Sequence, residues 1–296
     1  MTTVLRYPGG KTRAVKTLIN YIPSNINTVI SPFFGGGSFE LALASQRNCH
    51  IIANDKFEPL YNFWVTLKYN RDELVIEVRK LMPLTKEMFY ECRKNVTDTT
   101  INSVKRAAYY FALNRSSFSG STLSGGFSAE SAKARFTDSS VERLLKIRLE
   151  NVEFYNMDCI EFLSRFGMDC SPNRFIYLDP PYLLEVNNKL YGSCGDMHEK
   201  FQHNDLYKQL VSIPHKNWVM SYNNSTTIQE MYKNYECIEA QWAYGMNKTK
   251  KSSELIIKPL QLLEPVETLE PVELFSSQLH LLELQEPQEP HEPLEL

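Results

Sequence analysis

Thr28-Val29-Ile30-Ser31-Pro32-Phe33-Phe34-Gly35-Gly36-Gly37-Ser38-Phe39-Glu40-Leu41-Ala42-Leu43-Ala44 changes character twice. A β-branched run gives way to a proline and three consecutive glycines, and these give way to good helix formers. The order reads as strand, glycine loop, helix. Glycine lets the backbone approach a ligand closely and take φ above zero. The amides that open a helix attract an anionic group such as a carboxylate or phosphate. Alone, the triplet also fits a plain tight turn, and its spacing is not the Gly-x-Gly-x-x-Gly of dinucleotide sites.

Two further apolar runs end in an acid. Ile51-Ile52-Ala53-Asn54-Asp55 follows the glycine loop. An acid at the end of a second strand in a nucleotide-binding α/β unit accepts from ribose hydroxyls; a helix N-cap before Phe57-Glu58 is the other reading of Asp55. Phe175-Ile176-Tyr177-Leu178 reads as a buried strand and runs into Asp179-Pro180-Pro181-Tyr182. The prolines fix two φ angles and remove two donors, so the chain makes a stiff turn at the carboxyl end of a strand. Open α/β sheets bind their ligands there. The turn offers a carboxylate, free carbonyls and a ring face, which suit a flat ligand with an exocyclic amine. Two acceptors aimed at such an amine localise its lone pair and stabilise the charge that grows during methyl transfer.

In this order the pieces resemble the Dam-type DNA adenine methyltransferases. The resemblance covers roughly residues 4 to 260. It rests on Arg6-Tyr7-Pro8-Gly9-Gly10-Lys11, the Pro32-Phe33 glycine loop, Asn54-Asp55, Asp158, Asp179-Pro180-Pro181-Tyr182 and Ser221-Tyr222-Asn223. It implies a Rossmann-like α/β sheet with helices on both faces and an inserted, mainly helical target-recognition subdomain. It also implies transfer of a methyl group from S-adenosylmethionine to N6 of a flipped adenine in duplex DNA. Asp179, Pro180 and Tyr182 are then the catalytic acceptors and stacking ring. Tyr7, Lys11, Phe33, Gly35, Gly37, Asp55 and Asp158 are the expected cofactor contacts, with Asp158 on the cofactor's adenine. Two departures stand out: Ser31 replaces the Glu that many relatives carry before Pro-Phe, and Cys159 stands where an aromatic is frequent. The rival readings are the same transfer to cytosine N4, where relatives more often have Ser in place of Asp179, and a non-catalytic DNA-binding protein on this fold.

The implied division places a catalytic domain at 1–56 and 146–260 and a DNA-recognition insert at 57–145. Within the insert, Val104 to Leu113 reads as a helix and Asn114 to Ser128 as a polar, glycine-rich loop or hairpin. Arg115, Ser117 and Arg135 are its candidates for DNA contact, with guanidinium groups for guanine edges or phosphates and a hydroxyl for phosphate. A flexible surface loop with Arg115 in a local salt bridge is the alternative. Leu183 to Gln202 reads as a lid, and Lys248, Lys250 and Lys251 as a basic cluster.

The net charge is −3, but nine glutamates fall in residues 261–296, where no lysine, arginine or aspartate occurs, so residues 1–260 carry +6. That sign permits phosphate contacts. The repeated Leu-Glu-Pro-Val-Glu and Glu-Pro units of the last segment read as extended or disordered. No run of about 20 apolar residues suggests a membrane span. The six cysteines form no Cys-x-x-Cys pair and read as reduced thiols of an intracellular protein rather than a disulfide frame or zinc site. His198 and His203 have the wrong spacing for a helical metal pair. A monomer is expected, and a cognate restriction endonuclease is a conceivable partner.

Overall fold

The computed structural model of the chain describes residues 3–118, 121–183, 201–243 and 251–260. Seven strands form one sheet: β1 (Thr28–Ser31), β2 (His50–Asn54), β3 (Val152–Tyr155), β4 (Arg174–Leu178), β5 (Trp218–Asn223), β6 (Glu236–Ala243) and β7 (Lys251–Lys258). Their order is β3-β2-β1-β4-β5-β7-β6. β1 lies between β2 and β4 and runs parallel to both. The chain builds outward from β1 to β3, then returns to the other side of β1 as β4. The gap between the carboxyl ends of β1 and β4 is therefore the switch point where sheets of this class open a crevice. β7 runs antiparallel between β5 and β6. The 3-2-1-4-5 half is Rossmann-like, as the sequence leads one to expect, and the antiparallel pair closes its far edge.

The apolar strand runs are explained by burial on both faces. Val29, Ile51, Ala53 and Tyr177 join one core, whereas Ile30, Ile52, Ile176 and Leu178 join the other. Adjacent residues thus serve opposite faces, as the two-residue period requires. The first core is covered by α1 (Val15–Leu18), α2 (Glu40–Arg47), α3 (Glu58–Tyr69), α4 (Arg71–Lys80), α5 (Lys86–Asn95), α6 (Ser103–Ser116) and α8 (Asp138–Lys146), with α7 (Ala129–Arg135) against α6. The second is covered by α9 (Cys159–Phe166), α10 (His203–Ser212) and α11 (Thr226–Met231).

Residues 57–145 are mainly helical apart from the stretch 117–128, and their buried apolar side chains continue the first core rather than forming one of their own. α6 is its centre. Asn102 caps it, accepting from the amides of Val104 at 2.9 Å and Lys105 at 3.3 Å. The aromatic rings of Phe63 and Phe111 stack across α3 and α6 with centroids 5.9 Å apart, a contact worth ~0.5–1.5 kcal/mol beyond area burial. α6 is buried from Arg106 to Ser116, so it lacks a polar stripe. This corrects the sequence reading at one place. Asn114, Arg115 and Ser116, assigned from sequence to a polar loop, are the last turn of α6. Helices on several sides supply the burial that the local composition does not announce. The expected lid at 183–202 lies, but for Leu183, Phe201 and Gln202, outside the described residues, as do Lys248 and Lys250.

Candidate active site

The glycine loop between β1 and α2 is shaped by steric demand. Gly35 and Gly37 take φ of 50° and 63°. A Cβ on Gly37 would lie 2.4 Å from the ring tip of Phe34, and one on Gly35 would lie 2.8 Å from the Tyr7 ring. Tyr7 therefore packs directly on the loop. Trp64 of α3 donates from Nε1 to the Gly35 carbonyl at 3.0 Å, and Thr3 donates to the Gly36 carbonyl. Asp55, just past β2, accepts from the amides of Gly35 and Phe57, each at 2.9 Å. Asp55 thus braces the glycine loop and keeps lone pairs on both oxygens; the helix that follows takes Phe57 as its N-cap with no side-chain cap hydrogen bond, so the helix-cap reading of Asp55 does not hold. Burial pushes its carboxyl up to about 6 against those two donations. Asn54 ties the same region together. Its Nδ2 donates to the carbonyls of Pro32 and Met157 at 3.1 Å, and its Oδ1 accepts from the Met157 amide at 2.9 Å.

Across the switch point, Asp179 follows the last residue of β4. Lys11 Nζ lies 2.8 Å from its Oδ1, and Ser221 Oγ donates to the same oxygen at 3.0 Å. The register of β4 with β5 explains the second contact: Leu178 pairs with Met220, which brings the next residues, Asp179 and Ser221, side by side. Lys11 is 3% exposed and reaches three more groups. It donates to the Tyr182 hydroxyl at 2.6 Å and to the Gly9 carbonyl at 3.3 Å, and Glu254 Oε2 of β7 is 3.6 Å away. Sequence reasoning placed Lys11 with the cofactor; the fold brings its ammonium onto the Asp-Pro-Pro-Tyr turn. Pro180 is buried in that turn. The ring of Tyr182 lies nearly parallel to that of Tyr222, with centroids 6.0 Å apart.

These elements enclose a cavity of about 440 Å³ lined by Tyr7, Lys11, Phe33, the three glycines, Glu40, Asp55, Asp158, Asp179, Pro180 and Tyr182 among others. Phe33 meets Phe201 edge-on, with centroids 5.7 Å apart. Asp158 caps α9 by accepting from the Ile160 amide at 2.9 Å, and Lys56 donates to it at 2.8 Å. Burial would raise its carboxyl, but those two donors hold it below the ordinary range. Burial pushes the Cys159 thiol up to about 12 and leaves it unreactive. Every residue read from sequence as catalytic or cofactor-binding lines this one space. Ser221, Glu254 and Glu40 were missed as site residues. Ser221 was legible as the end of a strand; Glu40 sits inside an apolar run and Glu254 at the polar start of one, and neither gave a signal.

The candidates for DNA contact are placed differently. Arg135 is exposed at the end of α7. Arg115 is buried in α6 and donates from Nε to the Arg135 carbonyl at 2.9 Å. Burial, with Arg143, Arg6 and Arg135 nearby, drives its guanidinium down to about 9. No described acid pairs with it, which also sets aside the local salt bridge. Ser117 is fully buried beside a backbone bridge to Phe127, and its hydroxyl is shielded from solvent. His203 hydrogen-bonds through Nδ1 to the Tyr222 hydroxyl; His198 lies outside the described residues. No described helix is long and apolar enough to cross a membrane.

The family model for D12 class N6 adenine-specific DNA methyltransferases matches residues 7–246. The chain is 24% identical over 253 residues to the type II methyltransferase M.CviBI of Paramecium bursaria Chlorella virus NC1A, covering 82% of this chain and 91% of that one. It is 24% identical over 284 residues to the type II methyltransferase M2.HphI of Haemophilus parahaemolyticus, covering 74% of this chain and 83% of that one. Among solved structures, a putative methyltransferase, yhhF, from Escherichia coli overlays 87% of this chain and 92% of its own, with a TM-score of 0.37 at 10% identity.

Proposed function

The chain belongs to the D12 class N6 adenine-specific DNA methyltransferase family, and from that premise we propose that Asp179, Pro180 and Tyr182 hold the adenine while the glycine-loop cavity holds S-adenosylmethionine. It is an adenine-specific DNA methyltransferase. One observation carries the site assignment: Asp179 stands at the switch point with Oδ1 held by Lys11 and Ser221, leaving Oδ2 for a ligand.

The cavity fits the proposed cofactor on its own chemistry. Five carboxylates line it against two lysines, Lys11 and Lys56. That excess suits a ligand of net positive charge. Gly35 and Gly37 admit close backbone approach, and Asp55 stands where a ribose acceptor is needed. When bound, S-adenosylmethionine supplies a methyl group on a sulfonium. The protein's own part is orientation and charge stabilisation. Asp179 Oδ2 and the Pro180 carbonyl accept from the two N6 hydrogens of adenine, which localises the nitrogen lone pair. The same two acceptors stabilise the positive charge that grows on nitrogen, so no strong base is required. Extruding the base from duplex DNA costs a few kcal/mol, and stacking on Tyr182 returns about 1–3 kcal/mol.

The helical segment 57–145 is the proposed recognition element. Arg135, with Arg6, Arg115 and Arg143 behind it, forms a cationic patch suited to backbone phosphate. The proposed substrate is double-stranded DNA and the proposed working state a monomer. Nucleoside mass spectrometry of unmethylated DNA incubated with the protein and S-adenosylmethionine tests the reading. N6-methyladenine is expected, and N4-methylcytosine or no modified base would overturn it.

A further inference from the structure

Glu40 takes no part in the chemistry above, yet it is a deeply buried acid of the same site. It opens α2, is 3% exposed and lines the cavity. Ser31, the last residue of β1, donates to its Oε1 at 2.7 Å. The two residues act as one unit, with a carboxylate carried on the helix and steered from the strand. The other acids of the cavity have their partners. Asp55 accepts the amides of Gly35 and Phe57, Asp158 accepts from Lys56, Asp179 has Lys11 and Ser221, and Asp205 has Lys208. Lys11 is already divided between Asp179 and Glu254. Among the described residues, Glu40 has the Ser31 hydroxyl and its own amide as donors and no cation in an ion pair.

We propose that Glu40 is the receptor for the amino-acid ammonium of the cofactor, with Ser31 fixing its carboxylate. The assignment rests on the cofactor reading above and adds to it which ligand group meets which side chain. An ammonium carries N–H donors and can fill the free acceptor positions of a carboxylate; a sulfonium carries none. Position 31, where many relatives hold a Glu, here holds a serine, and that serine hydrogen-bonds the carboxylate of Glu40.

The charge state of Glu40 supports the geometry. Burial pushes its carboxyl up to about 8, Ser31 and Lys11 oppose this, and the charge of Asp179 adds to it. The titratable groups facing it are Lys11 from the amino-terminal segment, Tyr177 of β4 and Asp179 just past β4, with Glu254 of β7 beyond Lys11. In the ligand-free protein Glu40 thus holds a proton through much of the neutral range and sheds it when an ammonium arrives. Binding of an ammonium ligand tightens as pH rises from 6 to about 8.

Titration calorimetry on the full chain separates the possibilities, with three probes: S-adenosylmethionine, S-adenosylhomocysteine and 5′-methylthioadenosine, which lacks the amino-acid end. For Glu40→Gln, affinity for the first two falls ~10–100-fold, the loss of a charge-assisted hydrogen bond. Affinity for 5′-methylthioadenosine stays as in the wild type, which also shows that the variant is folded. The pH dependence of S-adenosylhomocysteine binding flattens in the variant. Unchanged affinity for S-adenosylhomocysteine, or an equal loss for all three probes, overturns the role of Glu40 alone. A wild-type protein that binds none of the probes overturns the cofactor reading and this inference with it.

Discussion

Asp179 Oδ1 accepts from both Lys11 and Ser221, and that division defines what the residue can do. One oxygen is held by Lys11 and Ser221, and in the proposed reading the other receives the substrate amine. Asp179→Ala therefore removes an acceptor used as charge develops. Methyl transfer should fall by at least ~10²–10³-fold while S-adenosylmethionine binding persists; steady-state methylation of duplex DNA alongside calorimetry checks both halves. Near-normal turnover would mean the amine is held elsewhere. Glu40 makes a second prediction, on stability. Its carboxyl is raised by folding from 4.5 to about 8, so the folded state binds the proton more tightly than the unfolded one. The stability this brings is fully present below pH 4.5 and is lost as pH rises through about 8, by up to ~4 kcal/mol. Glu40→Gln should abolish that slope, so the ligand-free variant has the higher Tm at pH 8. An identical Tm–pH profile in both proteins would show that Glu40 is ionised in the fold at neutral pH.

At the scale of elements, the loop from β1 to α2 is held from three sides. Tyr7 covers it, Trp64 of α3 anchors its Gly35 carbonyl, and Asp55 beyond β2 anchors its Gly35 amide. Gly37 is the point of least tolerance, with φ of 63° and Phe34 against the place of a Cβ. Gly37→Ala should cost ~1–3 kcal/mol from left-handed strain and ring displacement, read as a lower denaturant midpoint at unchanged m. Gly36 takes no positive φ, so any penalty there arises from Tyr7 crowding alone. Trp64 has a wider meaning: an aromatic on α3 anchors the glycine loop of the proposed cofactor cavity. Strand, loop and helix were legible from composition because β-branched, glycine and helix-forming residues are segregated along the chain. The reach of α6 through Ser116 was not, because its last turn carries Asn114, Arg115 and Ser116, whose burial comes from neighbouring helices.

At the scale of the molecule, charge is uneven along the chain, with +6 on residues 1–260 and nine glutamates beyond them. Arg135 stands exposed on the proposed DNA-facing patch. Arg135→Ala should weaken duplex binding across sequences alike and reduce the slope of log K against log salt by about 0.9. A changed sequence preference at constant slope would instead make Arg135 a reader of bases. The sequence by itself determined the fold class, the family, and the order of the glycine loop and strand-end turns whose residues line the cavity. Glycine φ, proline rigidity and acids at strand ends are local properties, and local chemistry is written along the chain. Only the tertiary structure decided which of these residues touch. Lys11 meets Asp179 because the amino-terminal segment folds across the switch point. Ser221 meets it because β4 and β5 are in register. Glu40 becomes a site residue because the start of α2 lies against the end of β1. Those meetings, and the burial that shifts Glu40 and hides Ser117, depend on long-range packing, which no stretch of the sequence carries alone.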